Sequence, residues 1–148
     1  QAVEFIDKYF EKFEDVKNYI EETIEIVREL GYAETLFGRR RYLPEINAHH
    51  QQMRSQAERM AINHPVQGTA ADLIKLAMIN LHDVIEKKFV KDEVRMLLQV
   101  HDELIFEVRE DLVEETKKII RHEMETVHKF KTPIDVDIQV GDSWGQAK

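Results

Sequence analysis

The chain has 148 residues, 43% hydrophobic and 34% charged, an ordinary balance for a soluble globular protein. No apolar run approaches the roughly 20 residues that span a bilayer. The absence of cysteine excludes a disulfide framework or a thiolate zinc site, and fits a reducing compartment. With 21 Lys and Arg against 29 Asp and Glu, the formal charge is −8, which alone argues weakly against a nucleic-acid partner. Distribution matters more, because acid gathers in 21–29 and 110–125 while Arg39, Arg40 and Arg41 form one basic block. The start at Gln1 rather than at a methionine suggests a piece of a longer protein.

Residues 2–13 place Val3, Phe5, Ile6, Tyr9, Phe10 and Phe13 at helical spacing, and the aromatics are expected in a core. A second helix is predicted from about Asp15 to Leu30, with Tyr19, Ile20, Ile24, Val27 and Leu30 as its apolar stripe. Gly31 suits the left-handed residue that closes it. Residues 32–42 predict a short hairpin with Gly38 at the turn and Pro44 ending it. His49 and His50 lack further metal ligands at a matching spacing and are loop residues.

Residues 51–63 return to helix, and Pro65 predicts a break or a new first turn. From Val66 a long stripe continues through Ala70, Leu73, Ala77, Leu81 and Val84. The period then changes to two, with Val94, Met96, Leu98 and Val100 alternating, then Leu104, Phe106 and Val108. Pairing 100 with 104 and 98 with 106 puts both sets on one face and leaves a three-residue loop at 101–103. Asp111 to Glu114 resembles a capping box opening a helix through Ile119, Ile120 and Met124. After Pro133, Ile134, Val136, Ile138 and Val140 predict a last strand. The class is α+β.

The hairpin tip reads His101-Asp102-Glu103. Two adjacent carboxylates repel unless distance or a cation relieves them. Magnesium favours one or two carboxylates plus water and phosphate oxygens, so such a tip supplies half of a site. Nucleotidyl transfer by two metals needs further carboxylates from a neighbouring element. On pattern alone, a solvated acidic turn is the commoner explanation.

The segment Gln99-Val-His-Asp-Glu-Leu-Ile-Phe-Glu107 resembles motif C of the family A DNA polymerases. Thr35–Tyr42, Glu58–Asn63 and Pro65–Lys75 resemble the blocks preceding it in that family, in the same order, and Val140–Trp144 resembles its closing segment. The resemblance covers essentially the whole chain. It implies a palm-type antiparallel sheet with packed helices, with 1–50 the distal part of the fingers and 51–148 the C-terminal half of the palm.

The resemblance also assigns roles. Asp102 matches the aspartate that binds the catalytic Mg2+ ions, Glu103 the adjoining auxiliary acid, and His101 a histidine near the primer terminus. Gln67 matches a glutamine that contacts the minor groove. Acceptors there sit at nearly the same place in every base pair, so a fixed donor tests geometry without reading sequence. Arg59 and Asn63, four residues apart, match positions near template or primer, although a solvated helix face is an alternative for Asn63. Arg39 and Arg41 share a hairpin face and either contact phosphate or pair with acids inside the protein.

Primer-template DNA, deoxynucleoside triphosphates and an upstream part of the same polymerase are the implied partners. The family's first aspartate motif and its triphosphate-gripping fingers helix are not found in this sequence. The isolated chain is therefore expected to bind magnesium weakly, to be inactive and to expose apolar surface. A bacterial cytoplasmic setting, near the nucleoid, is implied. A retired DNA-binding module and a magnesium-dependent nuclease are the competing classes.

Overall fold

The computed structural model describes residues 2–147, with the side chains of Ala2 and Val3 outside that description. The place of Val3 in the first apolar face therefore lies outside the described side chains. The class is α+β, with helices and two small antiparallel sheets. Among the described residues, no helix is long and apolar enough to cross a membrane. The chain divides into two units, Gln1–Thr69 and Ala70–Lys148.

In the first unit, α1 (Ala2–Lys12) and α2 (Glu14–Leu30) form the two predicted helices. Tyr9 meets Phe10 edge-to-face and Phe13 at a tilt, with centroid distances of 5.4 and 4.9 Å. This cluster is not core: Phe5, Ile6, Tyr9 and Phe13 are exposed. A helical apolar stripe needs a surface opposite it before burial follows, and spacing alone does not supply one. On α2 only Val27 is fully buried, while Leu30 at the end of the stripe stays exposed. Tyr19 is partly buried and its hydroxyl donates to the Ile62 carbonyl at 2.9 Å; burial pushes the phenol up from its ordinary pKa.

Gly31 adopts φ 77°, and its N–H closes the helix on the Val27 carbonyl at 2.8 Å. Its own carbonyl accepts from Leu43 N–H at 2.9 Å, which ties helix end to hairpin end. The hairpin comprises β1 (Tyr32–Glu34) and β2 (Arg40–Tyr42), with Gly38 at φ 83° in the turn. Pro44 opens a 3-10 turn, Pro44–Asn47, where a missing N–H costs nothing. Val27, Ala33, Leu43, Ile46, Ala57 and Ala61 make the core of this unit.

The third helix, α3 (Gln51–Asn63), runs into a π turn, His64–Gly68. Pro65 therefore neither breaks the path nor begins a new helix. Asn63, His64 and Thr69 all keep right-handed helical dihedrals. A widened turn accommodates a residue that lacks an N–H and crowds the carbonyl four positions back.

In the second unit, α4 (Thr69–Lys88) precedes the hairpin β3 (Val94–Val100) and β4 (Glu103–Val108). The buried stripe of α4 is Ile74, Ala77, Leu81 and Ile85. Ala70 is exposed and Val84 half-buried, so the expected stripe is displaced by one position at each end. Leu81, Ile85, Val94 and Ile120 form the core, with Phe89, Met96, Leu104, Phe106 and Ile138 packed against it.

A short 3-10 turn, Glu110–Leu112, leads into α5 (Val113–Glu125). The expected capping box is not made. Asp111 instead accepts from Arg109 Nε and Nη2 at 2.5 and 2.9 Å. That hydrogen bonding holds its carboxyl below the ordinary range. Arg109 also pairs with Glu93, so one guanidinium gathers the outer end of the β3–β4 ribbon.

Residues 133–140 are not a strand. Ile134, Val136 and Ile138 are half-buried in alternation, as expected, but the Val136 N–H donates to the Glu125 carboxylate at 3.2 Å. Alternation reports which side faces the core; a strand also needs a neighbour to complete a ladder.

Candidate functional site

The tip of the β3–β4 ribbon is tighter than expected. Val100 pairs with Glu103, Gln99 with Leu104 and Leu98 with Ile105, so the turn holds two residues, His101 and Asp102. His101 takes φ 53°, a left-handed conformation that histidine tolerates better than most residues. Gln99 Nε2 donates to the His101 carbonyl at 2.6 Å and braces the turn.

Further from the tip, Met96 pairs with Phe106 and Val94 with Val108, with an irregularity at Leu97. This bulge moves Leu98 and Val100 to the face opposite Met96, which corrects the expectation of one shared apolar face. Leu97 and Leu98 are about half exposed.

His101, Asp102 and Glu103 thus come together, all exposed. Neither carboxylate takes part in a hydrogen bond or ion pair among the described residues. A pair of carboxylates with free oxygens fits a hard divalent cation that keeps its remaining ligands as water and phosphate. Among the described residues, no three His, Cys, Asp or Glu side chains meet as a metal cage, and His49 and His50 are exposed loop residues. The tip supplies a partial site.

Arg59, Asn63 and Gln67 are exposed on the first unit, the first two on α3 and Gln67 in the π turn. None of the three is tied to a partner among the described residues. Polar side chains held on helical backbone with their donors free suit an extended ligand rich in acceptors.

The basic block divides. Arg40 donates to Glu34 at 2.5 Å and lies 4.5 Å over the Tyr32 ring, and the Glu34 hydrogen bond pushes its pKa up. Arg41 is exposed and, among the described residues, reaches the Met60 sulfur at 3.3 Å. Arg39 donates from Nη2 to the Gly68 carbonyl at 2.8 Å.

Gly68 escaped the sequence reading. A Cβ at this position would sit 2.6 Å from Thr35 Cγ2 and 3.2 Å from His64 Cε1. Thr35 is buried and β-branched, so it has little freedom to yield. Its signal in the sequence is a glycine in a helical stretch, where it costs about 1 kcal/mol against alanine and so points to a packing reason. Gly68→Ala is expected to cost about 1–3 kcal/mol through overpacking, read as a lowered midpoint in urea. An unchanged midpoint would mean that the turn of the first hairpin does not bear on this position.

Comparison with known proteins agrees with the fold. A family model for DNA polymerase family A matches residues 1–146, and the chain belongs to that family. A thermostable DNA polymerase I of Thermus thermophilus is 47% identical over all 148 residues, and that of Thermus aquaticus 46%. DNA polymerase I of Streptococcus pneumoniae is 44% identical over 150 aligned positions. The chain spans 17% of the length of each of these relatives. Among solved structures, the POL domain of Pol1 from M. smegmatis, in complex with DNA primer-template and dNTP, superposes with a TM-score of 0.91 at 42% identity. That match covers 96% of this chain and 25% of the other.

Proposed function

We propose that the chain is the C-terminal part of a DNA polymerase I type enzyme, carrying one half of its metal site. It works in template-directed DNA synthesis during replication and repair. The observation that carries this reading is the pair of unpartnered carboxylates, Asp102 and Glu103, at an exposed hairpin tip in a chain of family A. Residues 1–50 act as the distal fingers and 51–148 as the second half of the palm, in a bacterial cytoplasmic enzyme acting at the nucleoid.

Asp102 would hold Mg2+, with Glu103 auxiliary. The bound cations supply Lewis-acid chemistry to the primer 3′-hydroxyl and the triphosphate. The ribbon's part is positioning: two paired strands fix the tip, and the Gln99 bond to the His101 carbonyl narrows its motion. His101 sits beside the primer terminus. Gln67 donates to minor-groove acceptors common to all base pairs, so it tests the shape of the new pair. Arg59, Asn63 and Arg41 contact template or primer, with Arg41 free to meet phosphate.

The test is reconstitution. The chain alone, with primed template, nucleotides and Mg2+, is expected to give no extension and weak magnesium binding. Supplied with the remaining polymerase sequence, in one chain or in trans, it is expected to extend the primer. Shortening of the primer would make it a nuclease, and binding without either a retired module. Incorporation by the chain alone would overturn the view that the site is partial.

A further inference from the structure

Arg39 lies in the basic block for which phosphate contact and pairing within the protein were both open, and although the residue is exposed its guanidinium is bonded to the π turn. Nη2 donates to the Gly68 carbonyl at 2.8 Å, and Gly68 directly follows Gln67. A second bond fastens the next residue, since Leu36 N–H donates to Thr69 Oγ1 at 2.9 Å. A third contact comes from the π turn itself, where His64 Nε2 stands 3.4 Å from the Arg39 carbonyl. Gly68 leaves no room between the π turn and the Thr35 side chain, because even a methyl group would collide with Thr35 Cγ2.

The loop 35–39 is itself stiff. Thr35 N–H donates to the Arg39 carbonyl at 2.9 Å, Gly38 N–H to the Thr35 carbonyl at 3.0 Å, and Arg39 N–H to Thr35 Oγ1 at 3.1 Å. A rigid loop is thus bonded on both sides of the peptide that follows Gln67. A π turn has weaker geometry than a regular helix and is a natural place for local movement. A charged donor on one of its carbonyls removes that freedom.

We propose that the loop 35–39, acting chiefly through Arg39 and Thr69, is a strap that fixes the π turn and so aims Gln67 at the minor groove. Arg39 is then a positioning residue rather than a DNA contact. The inference rests on the function proposed above and deepens it, because selectivity for correct pairs becomes a property of a protein–protein bond.

The experiment uses the complete polymerase, measuring correct and mismatched incorporation, together with binding to primed template at several salt concentrations. Arg39→Ala is expected to lower discrimination against mismatches about tenfold, with DNA affinity and its salt slope unchanged. Coupling of that size is ordinary for residues in one network. The double variant Arg39→Ala/Gln67→Ala should discriminate no worse than Gln67→Ala alone, since both remove the same check. Thr69→Val, which keeps shape and removes the acceptor for Leu36, should show a smaller loss of the same kind and covers the case in which Arg39→Ala fails to fold. Arg39→Lys should not restore discrimination, because a point charge lacks the reach and fork of guanidinium.

A fall in DNA affinity with a shallower salt slope and unchanged discrimination would make Arg39 a phosphate contact and overturn the proposal. Multiplying effects in the double variant would do the same, as would full discrimination by Thr69→Val. If the unaltered complete protein fails to extend a primer, the function proposed above falls, and the strap with it.

Discussion

Asp102→Asn in the complete polymerase is expected to reduce nucleotide incorporation by on the order of 10³-fold, with unfolding unchanged. The size follows from the charge. Metal ions contribute several kcal/mol of transition-state stabilisation, and each 1.36 kcal/mol is tenfold in rate. Asparagine keeps the shape of the side chain but carries no negative charge for the cation to offset. Because Asp102 is exposed and its carboxylate has no partner among the described residues, the defect should be confined to catalysis. Glu103→Gln should have a smaller effect, as befits an auxiliary acid. Primer extension under single-turnover conditions separates the two, and a rate within about fivefold of the parent for Asp102→Asn would remove Asp102 from the chemistry.

The second large effect is on stability. Leu81→Ala is expected to cost about 3–5 kcal/mol, because Leu81 is completely inaccessible at the centre of the second unit's core. Ile85, Val94 and Ile120 surround it from a helix and two other elements, so a cavity there has few ways to close. Ile79→Ala on the same helix is the contrast, since Ile79 is more than half exposed and should stay within about 0.5 kcal/mol. Urea titration followed by circular dichroism gives both values. Equal midpoints for the two variants would show that the core has been misplaced.

What could be read from residues alone divides along a physical line. Interactions local in sequence were legible: Gly31 at the end of α2, Gly38 in the turn and Pro44 just past the end of the hairpin each follow from backbone preferences. Features set by distant parts were not. The aromatic face of α1 looked like core because spacing shows that a stripe exists, not what covers it. Residues 134–140 alternate as a strand does, yet no ladder partner meets them and Glu125 takes the Val136 amide. One local feature also departed from its spacing: Asp111 was placed for a cap but is held by Arg109, two residues away.

The site divides in the same way. Asp102 and Glu103 were legible as an acidic tip because two apolar alternating runs bracket them. The two-residue turn was not, since the extra residue at Leu97 shifts the register without any mark in the alternation. Arg39 was read by its charge, and only geometry shows that the charge is aimed at a carbonyl. Gly68 was passed over because the close approach involves Thr35, which is distant from it along the chain.

The irregularity at Leu97 has a mechanical meaning. Around it the ribbon carries hydrocarbon on both faces, with Leu104 and Phe106 turned one way and Leu98 and Ile105 the other. The acidic tip is therefore a cantilever, clamped below by its own core, with Leu97 and Leu98 about half exposed above. Any surface that settles on Leu97 and Leu98 becomes the second jaw of that clamp and governs how stiffly Asp102 is presented.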